Sequence, residues 1–175
     1  MRLINAKTFQ LEEFDGDNVP PYAVLSHTWG RHEVSFADWT MITEDPSSDK
    51  AKNLKEKEGY EKVHRFCELV RDIRWCKHKG DGKGRSSCRK NNEVYLCSCC
   101  RRSCICEQRL EWAWVDTCCI DKSSSSELSE NINSMYKWYR DSYVCYAYLV
   151  DVPDTDVLEA PRSAFRESRW FRRGW

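Results

Sequence analysis

The sequence predicts an α/β fold: an open, mainly parallel sheet flanked by helices, carrying an N-terminal hairpin and a cysteine-rich insertion. Three observations lead there. Short apolar runs of buried-strand type (Tyr22–Ser26, Trp112–Asp116 and Val144–Val150) alternate with segments whose apolar residues recur every three or four positions. Strands separated by helical segments pair in parallel through right-handed crossovers. The 175 residues, 41% hydrophobic and 32% charged, suffice for one domain with its own core and exclude a wholly disordered chain.

From Arg2 to Phe14 apolar and polar residues alternate loosely, which predicts a short hairpin with Leu3, Phe9 and Leu11 turned inward. Pro20 and Pro21 close that unit, and the strand Tyr22–Ser26 follows. The polar stretch Thr43–Lys57 reads as a loop. Tyr60, Val63, Phe66, Cys67, Val70 and Ile73, at steps of three and four, then predict an amphipathic helix. After the insertion and the strand Trp112–Asp116, a second helix is marked by Leu128, Ile132, Met135, Tyr136 and Tyr139. Ser124 and Glu127 stand three apart, as a capping box requires, and open it. The third strand, Val144–Val150, is stopped by Pro153. The order strand, helix, strand, helix, strand specifies a flavodoxin-like arrangement, in which ligands bind in the crevice outside the carboxyl ends of the strands.

The 28 basic and 28 acidic residues cancel, but not locally. Residues 76–110 hold seven of the 11 cysteines and nine Lys/Arg against three acids, so this insertion is +6 and the remainder −6. No signal peptide opens the chain and no run of about 18 apolar residues occurs, so a cytoplasmic protein with no membrane span is expected, its thiols reduced or bound to metal. Cys97, Cys100, Cys104 and Cys106 are the candidate zinc ligands. Cys97-x-x-Cys100 has zinc spacing, whereas Cys104-x-Cys106 is tighter than a zinc knuckle prefers. A thiol-rich loop, disulfides, or intron sequence retained in the reading frame are the alternatives. The positive charge permits contact with RNA or phosphate, and zinc with nucleic acid is a third functional class; basic loops are usually only solvated, so nucleic acid is not the expected partner.

The first strand ends in Ser26-His27-Thr28-Trp29-Gly30, and the second in Asp116-Thr117-Cys118-Cys119-Ile120-Asp121-Lys122. With Met1–Asn5, Glu127–Glu130, Met135–Tyr139 and Ser168–Trp175, these blocks resemble the HET (heterokaryon incompatibility) domain of filamentous fungi, found in proteins of non-self recognition and programmed cell death. The resemblance runs through residues 1–175 apart from the insertion. It implies an interaction and effector module with protein partners and self-association. HET domains are in turn remotely similar to TIR domains, which share the flavodoxin-like sheet and in some cases cleave NAD. NAD as a substrate is therefore implied as the rival, enzymatic reading. In catalytic TIR domains the key Glu follows a Ser-x-Trp segment; Ser168-Arg169-Trp170 is similar to it, and the sequence stops at Trp175, ahead of the position expected for that Glu.

Candidate site residues follow from the strand ends. Ser26, His27 and Trp29 are candidate nucleotide contacts, two polar side chains and a ring for stacking at a carboxyl edge. Asp116, Asp121 and Glu127 are the candidate catalytic carboxylates, because an oxocarbenium-like state at the ribose wants one nearby. Each has a plainer alternative: turn hydrogen bonding for Ser26, a half-buried ring for His27, packing over the core for Trp29, loop capping for Asp121, and the helix dipole for Glu127. Cys118 and Cys119 read as packed, inert thiols, since no neighbouring His activates them. Arg169, Arg172 and Arg173, with Trp170 and Trp175, either grip phosphate or a partner or begin a helix.

Overall fold

The computed structural model describes residues 1–16, 18–75, 88–91, 94–97, 108–156, 160 and 162–172. Its elements in chain order are β1 (Arg2–Asn5), β2 (Leu11–Glu13), β3 (Tyr22–His27), α1 (Phe36–Glu44), α2 (Asp49–Lys55) and α3 (Glu58–Asp72). They continue with β4 (Arg74–Trp75), β5 (Cys88–Asn91), β6 (Val94–Cys97), β7 (Gln108–Arg109), β8 (Trp112–Trp114) and α4 (Asp116–Cys119). Last come α5 (Ser125–Asp141), β9 (Val144–Tyr148), α6 (Ala164–Glu167) and a 3-10 turn at Arg169–Arg172.

The expected N-terminal hairpin is β1 with β2, Leu3 opposite Glu12. Leu3 is buried, while Phe9 and Leu11 are partly buried against the core. Asn5 Oδ1 accepts the backbone N–H groups of Lys7 and Thr8, and Phe9 takes a left-handed φ of 62°. Such a conformation is disfavoured for a residue with a side chain. Packing holds it: the Phe9 ring stacks on His64 at 4.8 Å, and its carbonyl accepts Trp39 Nε1 at 2.9 Å.

β3 is buried along all six residues because it lies inside a five-stranded sheet of order β2-β1-β8-β3-β9. It pairs in parallel with β8 on one side and β9 on the other, as the helical crossovers require. β1, however, lies antiparallel on the far edge of β8, with Ile4 opposite Ala113. The sheet is therefore mixed rather than mainly parallel, because the hairpin extends it instead of packing beside it. Side chains alternate along these strands and sort the helices by face. Trp114 packs its ring against Trp138 and Tyr139 of α5, and Tyr22 Oη, on the same face of the sheet, donates to the Trp138 carbonyl at 2.6 Å. On the other face, Tyr146 of β9 meets Phe66 of α3. Helices on both faces close a core centred on Val24, Trp39, Val63, Val70, Ala113 and Trp114.

The structure revises four further expectations. The stretch Thr43–Lys57 is not a loop: it holds the end of α1 and all of α2. Ser35 caps α1 in a reciprocal box with Asp38, and Ser48 caps α2, each helix burying only two side chains (Trp39 and Ile42; Ala51 and Leu54). So small an apolar stripe is lost in a polar segment. The second crossover strand ends at Trp114, and Asp116 instead opens the one-turn α4. β9 stops at Tyr148, two residues before Val150. On α5, Ile132 and Tyr136 (78% exposed) fall on the flank, and the packed stripe is Leu128, Met135, Trp138 and Tyr139.

The insertion leaves and re-enters at one place, since β4 and β7 pair antiparallel, and Leu110 N–H reaches the Ile73 carbonyl at 2.8 Å. Between them β5 and β6 form a hairpin with Cys88 opposite Cys97. Cys100, Cys104 and Cys106, and with them the zinc site expected at Cys97–Cys106, lie outside the described residues. Among the described residues no helix is long and apolar enough to cross a membrane.

Candidate functional site

β3 delivers Ser26 and His27 to its carboxyl end, and both are buried there. The next strand over, β8, ends beside them, so that the first residue of α4, Asp116, faces His27. Its Oδ1 lies 2.9 Å from His27 Nε2, and its Oδ2 accepts Trp29 Nε1 at 2.9 Å. Burial by itself would push the Asp116 carboxyl up; the hydrogen bond and charge of His27, the charge of Lys122 and the indole N–H outweigh it and hold the group below the usual carboxylate range. An ionised Asp116 is acceptor only, which places the proton on His27 Nε2. The Lys122 ammonium stands 3.7 Å over the Trp29 ring, which remains 50% exposed.

Beside this cluster a cleft of about 460 Å³ opens between the ends of β3 and β9 and the first turns of α3. Leu25, Phe66, Leu69, Tyr146 and Tyr148 are among its apolar and aromatic lining, and Glu33, Glu58, Glu61, Lys62, Arg65 and Arg169 make its charged one. Glu33 Oε1 accepts Gly30 N–H at 2.6 Å and Lys62 Nζ at 2.5 Å, and His27 Nδ1 is 3.9 Å from the same oxygen. Burial pushes the Glu33 carboxyl up, but the Gly30 amide, Lys62 and His27 together bring it below its ordinary range. Its second oxygen, Oε2, is enclosed and has no hydrogen-bond partner among the described residues. The loop carrying Glu33 is pinned by the close approach of α3: a Cβ on Gly59 would stand 2.6 Å from the His32 carbonyl oxygen and 2.7 Å from Glu33 Cα.

The C-terminal segment closes the same edge. Ser168 Oγ donates to Asp151 Oδ1 at 2.7 Å, Arg169 N–H to Asp151 Oδ2 at 2.9 Å, and Trp170 Nε1 reaches Ser26 Oγ at 3.1 Å. Ser168-Arg169-Trp170 is thus tied to the end of β3, with Arg169 on the cleft.

Residues 22–165 match the family of heterokaryon incompatibility protein (HET). The chain is also 37% identical over 170 residues, 94% of its length, to the vegetative incompatibility protein HET-E-1 of Podospora anserina, of which it spans 9%. The chain belongs to the HET family. No solved structure matches it.

In this HET domain the fold brings together Ser26, His27, Trp29 and Asp116, contributed by the two strand-end blocks, and leaves two other candidate acids apart. Asp121 is spent on its own loop, accepting Ser123 Oγ at 2.6 Å and Ser123 N–H at 2.9 Å. Glu127 forms a two-pronged ion pair with Arg2, which ties α5 to β1, and also accepts from Asp121 N–H and Asn131 Nδ2. Cys118 and Cys119 are buried; burial raises the first thiol far above its usual range and the second to about 12, so neither is a thiolate near neutral pH. Glu33 and Lys62, the charged pair of the cleft, are absent from the candidates that the sequence suggests. A signal for both existed: Glu33 follows three residues after Gly30, in the loop that leaves β3, and Lys62 sits one position before the core-facing Val63 of α3.

Proposed function

We propose that this chain is an effector module of fungal heterokaryon incompatibility, acting in the cytoplasm through protein partners and self-association to signal cell death, with the carboxyl-edge cleft as its ligand site. One observation carries the reading beyond family membership. Asp116 joins the two blocks that most resemble HET domains, Ser26–Gly30 and Asp116–Lys122, into one buried polar cluster at the switch between β3 and its two parallel neighbours, where such folds hold ligands. Inducible expression of the chain in a filamentous fungus tests it. Growth arrest is expected for the wild type and its loss for Asp116→Ala; a wild-type chain that accumulates folded without affecting growth overturns the reading.

A second reading is NAD hydrolysis. It is favoured by the return of Ser168-Arg169-Trp170 to the end of β3, which sets a guanidinium-bearing residue on a cleft that also holds an ionised carboxylate. The bond between ribose C1′ and the nicotinamide nitrogen would break with its electrons leaving on the neutral nicotinamide, and water would add at C1′ and lose a proton. A carboxylate beside the ribose would stabilise the positive charge developing there. Incubation of the purified chain with NAD, followed by chromatography for nicotinamide, decides it; absence of release at high protein concentration removes this reading for the chain.

A further inference from the structure

The five-stranded sheet has two edges, and they are built differently. At one edge β2 is only three residues long and carries Glu12 and Glu13, both exposed. Short length and charge guard an open strand edge, because they discourage another strand from pairing there. β9, at the other edge, has neither guard. It runs five residues, Val144–Tyr148, pairs with β3 alone among the described strands, and lies in a stretch from Ser142 to Val150 without a charged side chain. It is exposed on both faces of the sheet. Cys145 and Ala147 are open on the face that carries Tyr22 and α5, and Tyr148 is 41% exposed on the face of α3. Leu69 of α3 and Val150, each about half exposed, continue this apolar surface beside Tyr148.

An uncharged open edge accepts a strand, and β9 fits its own copy. A two-fold axis through Tyr146 sets two β9 strands antiparallel, with Val144 opposite Tyr148, Cys145 opposite Ala147 and Tyr146 opposite itself. This register uses the whole strand, and it sets a β-branched residue against an aromatic, small against small, and aromatic against aromatic. Charge decides between the two edges. A two-fold contact brings each side chain near its own copy, so pairing through β2 would set Glu12 and Glu13 against themselves, whereas β9 opposes no like charges. We propose that two copies of this chain associate through β9, joining their five-stranded sheets into one continuous sheet. The inference rests on the self-association reading given above and names the surface that carries it. Five paired residues a side, with Leu69 and Val150 beside them, make an interface at the low end of the usual range, below about 1,200 Å² in total, so the dimer is a reversible one.

Sedimentation equilibrium of the full, reduced chain over micromolar to submillimolar concentrations tests it. The mean mass should rise from monomer towards dimer with concentration. Ala147→Lys, a charge at an exposed position of the edge, should weaken association about tenfold or more. Ala147→Cys gives an independent readout. In the proposed register the new thiol faces the second copy's Cys145, at a separation that a disulfide can bridge. Mild oxidation should therefore link two chains, detected by mass spectrometry as two copies of the peptide that spans positions 145 and 147, and Cys145→Ser in the same chain should abolish the link. A chain that stays monomeric throughout overturns the proposal, as does a dimer that Ala147→Lys leaves at full strength or that forms no link through position 147. Growth arrest by a strictly monomeric chain would remove this inference and keep the incompatibility reading. A β9-linked dimer without effect on growth would keep this inference and remove that reading.

Discussion

At Asp116, burial and charge pull in opposite directions, and the hydrogen bonds decide the outcome. Its two oxygens are engaged by His27 and Trp29, so the carboxylate is ionised in a place that would otherwise favour the neutral acid. Asp116→Asn keeps the shape and removes the charge; a loss of about 2 kcal/mol is expected in urea unfolding, because the buried His27 ring and the Trp29 indole N–H lose a charged acceptor. The pH dependence has a definite sign. A carboxyl held below its usual range contributes stability above the unfolded value near 4 and loses it as pH falls through the folded value. The wild type should therefore weaken in acid below about pH 4, and the Asn variant should show a flatter curve between pH 7 and 3. An identical acid profile for both proteins would mean that Asp116 is not the group responsible. Of these contacts the sequence disclosed the participants His27, Trp29 and Asp116, because polar residues at the ends of buried strands stand out. It did not separate them from Asp121 and Glu127, which look alike in one dimension and are consumed by Ser123 and Arg2 in three.

Among the elements, α3 positions the site, although its apolar face belongs to the core. Val63, Phe66, Cys67 and Val70 bury one stripe, and the same helix sets Lys62 against Glu33 and Gly59 against the His32 carbonyl. The Gly59 N–H donates to that carbonyl at 3.1 Å, so helix and loop share both a hydrogen bond and a contact too close for any side chain. Gly59→Ala should cost about 1–3 kcal/mol of stability by overpacking against backbone, which cannot rotate away as a side chain can. Thermal unfolding reads that cost, and ligand binding in the cleft should weaken with it because the displaced loop carries Glu33. An alanine variant as stable as the wild type would show that the loop yields freely. The periodicity of α3 was legible because six apolar residues mark it; α1 and α2 were not, because two buried side chains each leave no visible period and their serine caps occur equally in turns.

Over the whole molecule, the described body holds four cysteines, three of them inside: Cys67, Cys118 and Cys119 are buried, whereas Cys145 on β9 is exposed. Burial raises all three buried thiols above their ordinary range, Cys119 to about 12. The folded state thus retains protons that the unfolded chain releases near pH 8.5, so stability should fall as pH rises beyond that point. Brief alkylation followed by mass spectrometry should modify Cys145 in the native protein and the other three only after unfolding. Equal native labelling of Cys118 or Cys119 would contradict their burial, Cys118 against the Val34 carbonyl and Cys119 under the Val115 N–H.

What the sequence determined by itself was the succession of buried strands and the longest helices, the N-terminal hairpin, the opposite charges of body and insertion, and the HET resemblance. All of these depend on local periodicity or on contiguous blocks, which a linear chain displays. The tertiary structure alone decided that the hairpin extends the sheet beside β8, that Asp116 joins two blocks 89 positions apart at His27, and that Glu33 and Lys62 meet on a cleft. The reason is physical: a carboxylate's role is set by which donors surround it and how much water is excluded, and both are fixed only when distant segments pack.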